Sequence, residues 1–86
     1  MATVAEVERE VTAFIVDNFL FGNRADAPAT DTSFMATGLV DSTGVLELVA
    51  HLEAKYGFGV ADDELVPDNL DSVGNIARFV VRKQAG

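Results

Sequence analysis

The chain has 86 residues, 49% of them hydrophobic, which fits one small folded domain and leaves little room for a deep catalytic cleft. It contains no cysteine, so disulfides and thiolate-bound metals are excluded. Fourteen acidic residues against 6 basic ones give a formal charge of -8, which repels nucleic-acid phosphates and anionic membranes and steers the surface toward basic partners.

No apolar run approaches the ~20 residues of a membrane span. The opening MATVAEVEREVTAF is acidic and lacks the basic start and apolar centre of a signal peptide. A cytoplasmic monomer without membrane insertion is expected, and the leading Met suggests a free-standing protein.

In chain order, Val4, Val7, Val11, Phe14 and Ile15 share one helical face, predicting a first helix over about 3–21. Thr3 can cap it, with Glu6 as its capping-box partner, and Gly22 can stop it. Residues 22–40 hold no sustained period and read as a long loop, tacked to the core by Phe34, Met35, Leu39 and Val40. A second helix is predicted over 42–56, its apolar stripe formed by Val45, Leu46, Val49, Leu52 and Tyr56 with Leu48 beside it. Gly57 follows as its left-handed stop. Asp62 begins a short helix over 62–66. Asp71 or Ser72 caps a last helix over 72–83, carrying Val73, Ile76, Phe79 and Val80 inward and Arg78, Arg82 and Lys83 toward its C-terminal end. The outline is an all-α single domain: three main helices, one short helix and a long first loop.

Catalytic patterns fail on spacing. Ser42 and His51 fall on one helix about 13 Å apart along its axis, beyond reach of a nucleophile and its base. Asp62, Asp63 and Glu64 lack the alternating ligands and central glycine of a calcium loop, so no metal site is expected. Ser42 remains. Asp-Ser occurs at 41–42 and again at 71–72, each time before a helix. Capping rules do not separate the two pairs. Their upstream context does.

The order FMATGLVDS, followed by LELV from the fourth residue after the serine, resembles the phosphopantetheine-dependent carrier proteins, the acyl and peptidyl carrier family. HLEAKYGFGVADDELV extends the likeness, which covers roughly Asp31 to Phe79. The resemblance implies an acyl-carrier-protein-like four-helix bundle and a non-catalytic function. It implies that Ser42 is the attachment point of 4'-phosphopantetheine, transferred from coenzyme A by a phosphopantetheinyl transferase with magnesium. Asp41 then aids recognition beside it. Acyl or aminoacyl intermediates would be carried as thioesters between loading enzymes and downstream synthases or transferases of fatty-acid, polyketide or nonribosomal-peptide type. Thr43, Glu47, Ala50 and Glu53 map to the partner-facing side. The core residues Leu46, Val49, Leu52, Val60, Val73 and Ile76 would shelter an apolar cargo.

The departures are local. Thr43 stands where much of the family has Leu, Gly44 is a poor helix residue, and Ala50 and Ala54 thin the partner face. They favour a dedicated partner set over housekeeping fatty-acid synthesis. An unmodified acidic helical interaction module is the alternative. It accounts for the charge but leaves the placement of GLVDS to chance.

Overall fold

The computed structural model describes residues 2–86. It is all-helical, with no strand among the described residues. Three long helices, α1 (Val4–Phe19), α3 (Ser42–Tyr56) and α5 (Val73–Ala85), are joined by two four-residue helices, α2 (Phe34–Thr37) and α4 (Pro67–Leu70). Single 3-10 turns occupy Arg24–Asp26 and Asp62–Glu64.

The helices form where an apolar face and a cap coincide. Thr3 accepts the Glu6 N–H at the start of α1, while the Glu6 carboxylate meets the Thr3 hydroxyl instead of closing a full capping box on the backbone. Val7, Val11, Ile15 and Val16 are buried from α1, and Val73, Ile76, Ala77, Phe79 and Val80 from α5. Each fully buried Val, Ile or Phe side chain among them contributes about 1.5–3 kcal/mol of transfer free energy. α1 and α5 pack most extensively on each other, α4 lies on α5, and α3 closes the core with Leu48, Val49 and Leu52.

Several expectations from the sequence need correction. α1 stops before Gly22: Phe21 already adopts a left-handed conformation (φ 53°) and projects into solvent. That geometry is costly for a bulky side chain. It is held where the Gly22 N–H donates to Val16 O at 2.8 Å and the Asn23 N–H to Leu20 O at 2.9 Å. The long loop is not structureless, because it contains a 3-10 turn and α2, and Met35 is exposed while Phe34 and Val40 are buried. The helix expected over 62–66 is a 3-10 turn that ends at Glu64, and Pro67 opens α4 as a separate turn at its first position. On α3 the stripe is rotated. Leu48 is fully buried and Leu46 is 59% exposed.

Gly44 explains part of that rotation. A Cβ there would lie 2.9 Å from Phe19 Cε1 and 3.0 Å from Val40 Cγ1. The bare backbone lets the Phe19 ring and Val40 close over the first turn of α3, fixing which side of the helix faces inward.

Candidate functional site

The two Asp-Ser pairs, equal by sequence, are unlike in space. At α3 the cap is Asp41, whose Oδ1 accepts the Gly44 N–H at 2.7 Å. Ser42 is the first helical residue, exposed, and its hydroxyl takes no part in the cap. At α5 the serine caps: Ser72 Oγ accepts the Asn75 N–H at 3.1 Å, and Ser72 is buried. One hydroxyl is consumed by the fold and the other is presented at the start of a 15-residue helix, where the helix dipole favours a negative group.

Ser42 opens onto a surface groove of about 640 Å³. It is lined by Met35, Gly38 and Val40 at and after α2, by Val45 and Leu46 of α3, and by Leu65, Val66, Pro67 and Leu70 at and before α4. The polar residues at its edge are Asp41, Ser42 and Asp71. Of the residues expected to shelter a cargo, Val49, Leu52, Val73 and Ile76 are packed in the core, Val60 is half-buried, and Leu46 alone lines the groove.

Polar bonds hold the α4 part of the groove to α5. Lys83 Nζ lies 2.9 and 3.1 Å from the two Glu64 oxygens, and Glu64 Oε1 also accepts the Ala61 N–H at 2.9 Å. That backbone bond, then the lysine, holds the Glu64 carboxyl below the usual carboxylate range. Asn69 bridges the Glu64 carbonyl and the Arg82 guanidinium.

Of the expected partner-facing residues, Thr43, Glu47 and Ala50 are exposed along one side of α3, with Ala54 continuing the row. Glu53 is half-buried, and its carboxylate accepts the Val60 N–H at 2.8 Å, fastening the link after α3. His51 is likewise structural. Its ring stacks on Phe14 at 4.1 Å, and burial there pulls its pKa below the ordinary value. Among the described residues no three potential metal ligands converge. No helix among them is long and apolar enough to cross a membrane.

Sequence reasoning missed Asp71 and Ser33. Asp71 read only as a cap for the last helix, yet its carboxylate accepts the Met35 N–H at 2.9 Å and the Ser33 hydroxyl. Nothing in the local sequence links residues so far apart.

The helical bundle thus presents the exposed Ser42 hydroxyl beside an apolar groove. A family model described as a phosphopantetheine attachment site matches residues 21–80. The acyl carrier protein of Chlamydia trachomatis serovar D is 30% identical over 78 residues, covering 91% of this chain and 96% of that one. Acyl carrier proteins of an Arthrobacter species and of Paenarthrobacter aurescens are each 29% identical over 85 residues, covering 99% of this chain and 91% of theirs. The chain belongs to the phosphopantetheine-dependent carrier family, whose prosthetic group is 4'-phosphopantetheine.

Proposed function

We propose that Ser42 carries the phosphopantetheine arm and that the protein tethers acyl intermediates as thioesters for a dedicated set of partner enzymes. The observation that carries this reading is the division of labour at the start of α3: Asp41 makes the cap, so Ser42 is left exposed with its hydroxyl free. The residues suit the group. A phosphodiester at the first helical position would lie at the positive end of the dipole, and Ser42 is exposed to receive it.

In the transfer, Ser42 Oγ forms a bond to the phosphorus bearing the pantetheine, the pyrophosphate P–O bond of coenzyme A breaks, adenosine bisphosphate leaves, and the serine proton passes to a base on the transferase. The arm's terminal thiol supplies the thioester chemistry. Asp41 orients the turn and contributes negative charge for the magnesium-bearing transferase. The groove beside Ser42 is lined by aliphatic side chains and Met35, which favours an apolar acyl chain over a charged aminoacyl one. Thr43, Glu47 and Ala50 form the docking side, with Glu47 as its charged anchor. The neutral Thr43, Ala50 and Ala54 support a partner set distinct from that of acid-rich carriers.

Incubating the apo protein with coenzyme A, magnesium and a promiscuous phosphopantetheinyl transferase tests the assignment by intact mass. One arm is expected on the wild type and on Ser72→Ala, and none on Ser42→Ala. Failure of the wild type with several transferases would leave the unmodified acidic module as the better description.

A further inference from the structure

Asp71 binds to α2 in a way that a cap for its own helix does not require. It is half-buried where α4 ends, its N–H donating to Pro67 O at 2.9 Å. Its carbonyl accepts the Phe34 N–H at 2.7 Å, its Oδ1 accepts the Met35 N–H at 2.9 Å, and its Oδ2 accepts the Ser33 hydroxyl. Ser33 Oγ in turn accepts the Ala36 N–H at 3.1 Å. Thus the three N–H groups that open α2 are satisfied by Asp71, or by a serine whose own proton Asp71 holds. A helix of four residues has too few internal bonds to repay its nucleation, so α2 persists because Asp71 builds its N-terminus.

α2 leads directly to Ser42. After Thr37 come Gly38, the half-buried Leu39, the buried Val40 and the cap Asp41, with no slack between them. Met35, Gly38, Val40, Asp41 and Ser42 line the same groove as Leu70 and Asp71. Asp71 therefore ties the end of α4 to the start of α2, and both elements contribute to the groove that Ser42 lines.

We infer that Asp71 is a positioning residue for Ser42: through Ser33 and the N-terminus of α2 it fixes the turn that presents the Ser42 hydroxyl for modification. The inference rests on Ser42 being the attachment point. Asp71 acts here through two fixed hydrogen bonds, one to the Met35 N–H and one to Ser33 Oγ, and its charge is not what matters. The docking side formed by Thr43, Glu47 and Ala50 lies on α3 and is untouched by the contact.

The test is the steady-state kinetics of arm transfer to the apo full chain, with coenzyme A, magnesium and one fixed transferase. Asp71→Ala is expected to lower kcat about tenfold, within the range by which misplaced reacting groups slow a step, with KM for the carrier changed less than about twofold. Asp71→Asn retains Oδ1 as an acceptor for the Met35 N–H and keeps the second contact with its direction reversed, Nδ2–H donating to Ser33 Oγ, and should stay within about threefold of wild type. Val11→Ala weakens the core at α1 without touching this contact, and should leave kcat unchanged. A wild-type kcat in Asp71→Ala overturns the inference. So does an equal loss in Asp71→Asn, which would assign the effect to charge, or an equal loss in Val11→Ala, which would assign it to stability.

Amide exchange supplies a readout that does not need the arm. Asp71→Ala should speed exchange at Met35, Leu39 and Gly44 while the Gly57 N–H, bonded to Glu53 O, keeps its protection. Wild-type protein that takes no arm defeats the attachment assignment. Unchanged exchange at Gly44 defeats the positioning role by itself.

Discussion

Asp41 and Ser72 are the caps of α3 and α5, and their neighbours Ser42 and Asp71 are thereby released for other work. The stability of single substitutions should follow this division. Ser72→Ala removes a buried cap bond and should cost about 1 kcal/mol, a fall in Tm of roughly 4–8 °C for a domain of this size. Ser42→Ala should stay within about 0.5 kcal/mol of wild type. Thermal unfolding by circular dichroism checks both, and equal losses would contradict the capping assignment. Two glycines set a similar contrast. Ala in place of Gly normally stabilises a helix by about 1 kcal/mol. At Gly74 an added Cβ would sit 3.0 Å from the Thr30 carbonyl oxygen, which already accepts the Gly74 N–H at 2.8 Å. Backbone cannot swing aside as a side chain can. Gly74→Ala is therefore expected to lose about 1–3 kcal/mol in urea denaturation, and Gly44→Ala less, because its closest neighbour is the half-buried Phe19 ring.

At the scale of elements, α1 and α3 are joined near the C-terminal end of α3 by polar and aromatic contacts. Tyr56 Oη donates to Glu10 Oε2 at 2.6 Å, Lys55 lies 3.3 Å from the same oxygen, and His51 stacks on Phe14. The Tyr56 hydrogen bond draws the Glu10 carboxyl down, while burial and then Lys55 draw His51 down. Both groups thus bind a proton less readily folded than unfolded, and the signs agree. His51 contributes stability above its unfolded value near 6.5, lost as pH falls toward its folded value; Glu10 does the same from about 4.5 downward. Acid should loosen the joint in two stages, with His51→Gln removing the upper stage and Tyr56→Phe shrinking the lower one in urea midpoints taken between pH 7 and 3. A midpoint that rises on acidification would refute the scheme. The exposed Lys55–Glu10 pair adds at most about 1 kcal/mol.

The same scale shows what the sequence could reveal. α1, α3 and α5 are long enough for a repeating apolar face to be read. α2 and α4 are a single turn each, too short for any apolar period to announce them; α2 is built by bonds from Asp71, and α4 starts at Pro67, whose fixed φ suits a first helical position. On α3, apolar residues at 45, 46, 48, 49 and 52 permit two overlapping stripes. The approach of Phe19 and Val40 to Gly44 helps decide between them, and Leu46 lines the groove while Leu48 is buried. Asp41-Ser42 was visible as a motif, but which of the two would cap was not, since either side chain can serve.

Over the whole molecule the charge of -8 is unevenly spent, for three of the 6 basic residues, Arg78, Arg82 and Lys83, lie on α5. A basic partner should associate faster at low salt, with the advantage fading as the Debye length falls below about 10 Å above 0.1 M. Glu47→Gln should slow association with such a partner in stopped-flow measurements. Glu53→Gln should leave that rate alone and instead loosen the Val60 link, because its carboxylate is already engaged. Equal slowing by both variants would place Glu53 on the docking side after all. The pairing of the first long helix with the last has a further consequence, for the order in which the chain folds. Helical turns form from near neighbours in well under a millisecond, but the α1–α5 seam demands that the two ends of the chain meet before its core is rewarded. The loop closed is long, though each doubling of its length adds only about 0.6 kcal/mol. Val11→Ala and Ile76→Val should therefore slow refolding more than they speed unfolding, whereas changes in α2 should act chiefly on the unfolding rate.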